Sequence, residues 1–234
     1  MTGRFVLGIN TATAPFSTAL VKEDGALIAE TLLSPLSKGF GLFMPALHHM
    51  LSSAGANVKD LKALAVTSGP GSFTGLRVGL AAAKGMCRGL GIPAIAVSSL
   101  EALAAQCPVS IHPICPLIGS RRGEFFAALF RTSACGEMVT VKEVSCLNIK
   151  GVADMVEEKT VFLGDDYSSQ GSLLRAVLGD KACLAPPFLW NVRASVVAVR
   201  GLLKAEQSGF DELQSLVPFY LRPPDIRTPR DSEH

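Results

Sequence analysis

The segment Gly69-Pro70-Gly71-Ser72-Phe73-Thr74-Gly75 is where residue types and spacing come closest to chemistry. Three glycines in seven residues permit positive φ and the close approach of a phosphate or of another backbone. An apolar strand pattern precedes the loop and a helical pattern follows it. The helix would offer unpaired N–H groups and a positive dipole end to an anion. Gly69, Gly71 and Ser72 are therefore candidate anion contacts. Three named sites fail on spacing. A Walker A loop ends in Gly-Lys-Ser/Thr, whereas Gly75 is followed by Leu76 and Arg77. A nucleophile elbow needs Gly-x-Ser-x-Gly, and Ser72 follows Gly71 directly. A dinucleotide fingerprint calls for an acidic residue at the end of the next strand, and that strand ends at Ser98. The competing reading is structural: a tight turn that packs a helix onto a sheet.

Other chemistry-bearing residues are sparse. The chain has four histidines, of which His48 and His49 are adjacent and so point to different sides of a helix. None of the six cysteines forms a Cys-x-x-Cys pair. No Ser/His/Asp order or metal motif supports hydrolysis, and no metal or cofactor is expected.

The elements that position the loop follow from periodicity. Phe5–Asn10, Phe16–Lys22 and Ala26–Leu33 read as a three-strand meander, with Glu23-Asp24-Gly25 as a hairpin turn. Leu42–Ala54 reads as a helix stopped by Gly55, Leu64–Thr67 as a buried strand, and Leu76–Leu90 as a helix closed by glycine. Ala94–Val97 is a further strand, and Ser98-Ser99 caps a helix starting near Leu100. The second half repeats the theme more weakly. Ile114–Ile118, Glu124–Arg131, Glu137–Val144 and Thr160–Gly164 read as strands; Val152–Glu157, Ser168–Leu178 and Ala194–Gln207 read as helices. Two prolines near Gln106–Pro113 mark the boundary. The predicted organisation is an N-terminal lobe over residues 1–106, a smaller C-terminal lobe over 107–221, and a loose tail over 222–234.

Within this frame, Gly69–Gly75 with Leu76-Arg77-Val78-Gly79, then Ala83-Lys84-Gly85, Gly91-Ile92-Pro93 and Val97-Ser98-Ser99-Leu100-Glu101-Ala102, resembles the TsaB family, also called YeaZ. The resemblance is dense from Leu64 to Leu103 and weaker along Phe5–Leu20. It returns at Ile118–Phe130 and at Pro218–Leu221-Arg222-Pro223. It implies an α/β fold of the two-lobed ASKHA kind, related to actin and Hsp70, with a β-β-β-α-β-α core in each lobe. It also implies a role in making threonylcarbamoyladenosine beside the tRNA anticodon. In that role the chain would be a non-catalytic partner and activator of the larger paralogue TsaD. The ATPase TsaE would join the complex, the chain alone would form a homodimer, and tRNA would be reached indirectly. The alternative is a stand-alone ASKHA-type ATP-binding protein or kinase.

The resemblance also selects residues. Nucleotide-using ASKHA proteins carry an Asp after the first strand, where Gly8-Ile9-Asn10-Thr11-Ala12-Thr13 places Asn10. Relatives usually read Asp-Ala-Arg in the second hairpin, and this chain reads Gly119-Ser120-Arg121. Asn lacks the anionic oxygen that Mg²⁺ prefers. Asn10, Thr11, Thr13 and Arg121 join Gly69, Gly71 and Ser72 as candidate nucleotide or anion contacts, while Asn10 also reads as a turn residue bonding its own backbone. Arg121, Arg122 and Glu124 read either as cleft contacts or as a solvated turn. Arg77, Lys84 and Arg88 line one helix face and suit tRNA phosphate, an acidic partner or plain solvent. The candidate partner interface is apolar: Leu42, Phe43, Met44, Leu47 and Met50 on one helix, and Val78, Ala82 and Met86 on the next.

Composition bounds the rest. The chain has 234 residues, 48% hydrophobic and 18% charged, which excludes global disorder. A net charge of +2 does not suggest a dedicated nucleic-acid binder. No apolar run approaches about 18 residues, so no membrane span is expected, and the predicted compartment is the cytoplasm.

Overall fold

The computed structural model describes residues 4–34, 39–121, 123–133 and 137–221. The predicted tail over 222–234 and Arg122 lie outside them. The first sheet is built from β1 (Phe5–Asn10), β2 (Phe16–Lys22), β3 (Leu27–Leu33), β4 (Leu61–Gly69) and β5 (Ala94–Ser98), in the order β3-β2-β1-β4-β5. β1 pairs antiparallel with β2 and parallel with β4. Its outer face carries α1 (Phe43–Ser53) and α2 (Phe73–Leu90), and α3 (Ser99–Ala104) follows β5.

The second sheet comprises β6 (Ile114–Gly119), β7 (Glu124–Thr132), β8 (Met138–Asn148), β9 (Thr160–Leu163) and β10 (Ala182–Leu184), in the order β10-β9-β6-β7-β8. Helix α4 (Ile149–Asp154) precedes β9 and α5 (Tyr167–Leu178) follows it. β6 pairs antiparallel with β7 and parallel with β9. Both sheets are thus an antiparallel meander of three strands extended by two parallel ones. This is the duplicated arrangement of a two-lobed ASKHA fold.

Two helix patterns account for most of the outer core. In α1, Phe43, Leu47, Met50 and Leu51 recur at helical spacing and are all buried. In α2, Leu76, Leu80, Ala83 and Cys87 do the same. The α1 stripe and Leu80, Ala83 and Cys87 of α2 pack with Leu7, Ile9, Leu64 and Val66 of the sheet. Phe43, Leu47 and Met50 are each only 2% exposed, so these three candidate interface residues belong to the core. Helix α2 begins three residues earlier than the periodicity predicts, because Ser72 caps it by accepting the Gly75 N–H at 3.2 Å. The strand β10 was not expected: it has only three residues, too few to show alternation.

The last helix, α6 (Ala194–Ser208), is carried at the C-terminal end of the chain but packs on β1, β2, β4 and β5 of the first sheet. Gly8 permits the approach, since a Cβ there would lie 2.0 Å from the Ala194 carbonyl oxygen. Together α3 and α6 join the lobes, and one cluster runs from Ile95 and Leu100 through Val197 to Ile114 and Phe162. Glu30 on β3 anchors the start of α6. Its side chain is 3% exposed, pairs with the Arg193 guanidinium, and accepts the Ser195 N–H at 3.0 Å. Glu30→Ala should cost about 2–3 kcal/mol, because the Arg193 guanidinium and a helix N–H both lose their acceptor. Thermal melts should drop by roughly 5–10 °C. Glu23→Ala, which breaks an ion pair with Lys62 at a 58% exposed carboxylate, should change stability by no more than about 0.5 kcal/mol.

Candidate interaction surface and interlobe cleft

The glycine loop holds a protein backbone. The Ser72 N–H donates to the Ala12 carbonyl at 2.7 Å. A Cβ on Gly71 would lie 2.4 Å from the Ala12 carbonyl oxygen, and one on Gly75 would lie 1.9 Å from that of Thr11. The concave side of the loop is therefore filled by carbonyl oxygens of the β1–β2 turn. Those are acceptors, and they repel a phosphate. Gly69 packs against the Phe219 carbonyl oxygen, at 2.8 Å from its ideal Cβ, while the Phe219 N–H donates to the Ser68 carbonyl at 2.7 Å.

Asn10 organises the same turn. It is fully buried, and its side-chain amide donates to Thr13 Oγ1 at 3.3 Å and to the Val192 carbonyl at 3.1 Å. Its Oδ1 accepts from the Ala12 N–H at 3.1 Å and the Thr67 hydroxyl at 3.3 Å. Thr11 is also sealed: its hydroxyl has no partner among the described residues and faces Gly79. So Asn10, Thr11, Thr13, Gly71 and Ser72 do converge, but on one another. Arg121 lies in the exposed β6–β7 turn of the second sheet.

A magnesium nucleotide, which the ASKHA fold brings to mind, does not fit these residues. Asn10 has no free oxygen to coordinate a cation. Ser68, Ser98, Glu101, Thr140, Glu143 and Phe219 are among the residues lining an interlobe cavity of about 460 Å³. Among the described residues no cation lines it; of its two carboxylates Glu101 pairs with the Arg200 guanidinium and Glu143 remains, so the lining offers no positive group to a polyphosphate. Among those residues no group of three His, Cys, Asp or Glu gathers as a metal site, and no helix is long and apolar enough to cross a membrane.

Sequence reasoning missed the counterpart cluster in the second lobe. Asp165, just beyond β9, accepts the Gly119 N–H at 3.0 Å and the Gln170 amide at 2.5 Å. Its signal was a Gly-Asp-Asp run directly after a buried strand. Burial pushes the Asp165 carboxyl above the ordinary carboxylate range, with Asp166 adding in the same direction, against the pull of hydrogen bonds from Gly119, Gln170 and its own backbone N–H. In the window between the ordinary and the raised value the folded chain binds the extra proton. This group's contribution to stability is therefore present at low pH and lost as pH rises through the raised value. Asp165→Asn should gain stability relative to the parent chain as pH rises from about 3.5 to 7, checked by melts across that range.

The apolar surface lies on the other side of the first lobe. Met44, Leu47, Leu51, Met86 and Leu90, with Gly89 and Val58, line most of a groove of about 330 Å³ between α1 and α2, Leu47 forming its buried floor. Leu42 and Met44 are 41% and 52% exposed, Met86 is half-buried, and Val78 and Ala82 are half-buried on α2. His48 also lines the groove, and with Val58 and Leu90 it was not among the expected interface residues.

Comparison with known proteins bears on the family of the whole chain. The family model described as TsaD, tRNA N6-adenosine threonylcarbamoyltransferase, matches residues 41–156. The tRNA threonylcarbamoyladenosine biosynthesis protein TsaB of Bacillus subtilis is 34% identical over 221 residues, which is 93% of each chain. Its namesake in Escherichia coli is 34% identical over 133 residues, 56% of this chain and 57% of the other. The solved structure of YeaZ from Pseudomonas aeruginosa superimposes with a TM-score of 0.76 at 23% identity, covering 93% of this chain and 100% of that one.

Proposed function

Because the chain belongs to the TsaB family, we propose that it serves synthesis of N6-threonylcarbamoyladenosine on tRNA, next to the anticodon, as the non-catalytic partner of a TsaD-type transferase. The observation that carries this reading is the α1–α2 groove. Its rim is apolar, Met44 is 52% exposed, and methionine adapts to a partner surface. The occupant is the corresponding helix pair of the TsaD paralogue. A TsaD family model matches this chain from residue 41 and so spans α1 and α2, which supports a related helix pair on the partner. Gly89, which lines the groove, has nothing within 4 Å of an added Cβ, which leaves α2 open there to close helix approach. The same face would pair two copies when TsaD is absent, and a TsaE-type ATPase would join the heterodimer.

The chain stabilises the active arrangement of its partner and does not itself transfer the threonylcarbamoyl group. The sealed Asn10 turn supports this division of labour. All five described cysteines are free thiols, which suits a cytoplasmic setting. The test is direct. The chain and TsaD, mixed after separate purification, should elute together on a sizing column. Cells depleted of the chain should lose threonylcarbamoyladenosine from digested tRNA. Separate elution together with unchanged nucleoside content would overturn the reading.

A further inference from the structure

Helix α2 presents a second face that the partner groove leaves unused. Arg77, Lys84 and Arg88 follow one side of it at spacings of seven and four, over about 16 Å of helix. The chain after α6 runs past this side as a strap. Leu213 and Gln214 of the strap, with Ala81, Lys84, Gly85 and Arg88, line a groove of about 400 Å³. Among the described residues that lining holds two cations and no carboxylate, and neither Lys84 nor Arg88 has an ion pair or hydrogen bond. Asp211, earlier on the strap, turns its carboxylate onto the Ala96 N–H at 2.6 Å and lies 3.7 Å from Lys204. Glu212 beside it is exposed and does not line the groove.

The N-terminal end of the same face is aromatic. The Arg77 guanidinium lies 3.8 Å over the Phe73 ring and donates its Nε–H to the Tyr220 hydroxyl at 3.2 Å. The Phe73 and Tyr220 ring centroids are 5.1 Å apart, and Tyr220 remains 38% exposed. Unpaired cations beside an exposed aromatic and guanidinium stack form the combination that holds single-stranded nucleic acid. Cations track phosphates, and π-faces accept any base. An acidic peptide would use the cations but not the rings.

We propose that this face contacts tRNA directly, with Lys84 and Arg88 on backbone phosphates and the Phe73–Arg77–Tyr220 stack beneath an unpaired base. The inference rests on the tRNA-modification reading, which is what brings an RNA to this surface. It also separates the two sides of α2: the groove with α1 takes the protein, and the strap side takes the RNA.

The test uses the assembled TsaB-type chain with its TsaD partner, a tRNA transcript labelled with a fluorophore, and anisotropy over a salt series. Lys84→Gln/Arg88→Gln should weaken binding roughly tenfold at low salt and make the slope of log K against log salt shallower by about 1.4, at about 0.7 per single-strand contact. Tyr220→Ala should weaken binding about tenfold with the slope unchanged, and Tyr220→Phe should keep the affinity. Wild-type binding by both the double variant and Tyr220→Ala at every salt would overturn the proposal. Polyglutamate that competes as well as tRNA, with Tyr220→Ala without effect, would assign the face to an acidic protein and overturn it equally. Sizing of each complex comes first. If the wild-type chain fails to join TsaD, the functional reading falls, and the same titrations on the chain alone still decide whether this face binds RNA.

Discussion

Met44→Glu should abolish the complex with a TsaD partner while leaving the fold intact. Met44 is 52% exposed and lines the groove between α1 and α2. In the free chain the carboxylate would stay in water, so the stability change should fall within about 0.5 kcal/mol. In the complex it would be trapped against the apolar surface without a counter-charge. That penalty, with the lost methionine packing, should cost about 3 kcal/mol or more, a drop in affinity of at least about a hundredfold. Leu42→Glu, at a site 41% exposed, should weaken binding in the same direction. Leu47→Glu is no substitute for either, because Leu47 is 2% exposed and the variant would fail in the core. Calorimetry with thermal melts on the same samples separates the two effects. Wild-type affinity in Met44→Glu would place the interface elsewhere.

The need for that choice shows what periodicity delivers. The apolar positions of α1 were legible as a stripe, and so was the helix itself. Which apolar residues face the sheet and which face a groove depends on the angle at which α1 lies across β2 and β3, and that angle is a packing outcome. Phe43 and Met50 face the sheet, Leu47 packs in the core and floors the groove, and Met44 and Leu42 stay exposed. Helix α6 poses the same problem at larger scale. Its Ala/Val/Leu pattern announces a buried face, but nothing local says that the face lies on the first sheet, under Gly8 and Ala65. The Asn10 turn was readable because its bond to the Ala12 N–H spans two residues. The Asp165 cluster was not, because its partner Gly119 is 46 residues away.

The glycine loop is conspicuous in the sequence, and its composition fits an anion or a backbone alike, so it supplies the sharper test. Gly75→Ala should be among the most damaging single substitutions in the chain. The added methyl carbon would sit 1.9 Å from the Thr11 carbonyl oxygen. Both colliding groups hang on backbone, so no side-chain rotation relieves them. The β1–β2 turn is fixed from behind by the Asn10 bonds, and α2 is fixed by its packing on the sheet. The loss should reach about 3–5 kcal/mol, with melting lowered by roughly 10 °C or more, or with no soluble protein recovered. Gly85→Ala on the same helix meets nothing within 4 Å and should stabilise the chain by about 0.5–1 kcal/mol through helix propensity. Opposite signs from the same substitution ten residues apart isolate the backbone contact from any general effect of alanine. A phosphate-cradling loop would behave otherwise, since Gly75→Ala would spare the fold and remove anion binding. Thermal melts of the two variants therefore decide between a loop that binds a ligand and one that clasps α2 to the turn after β1.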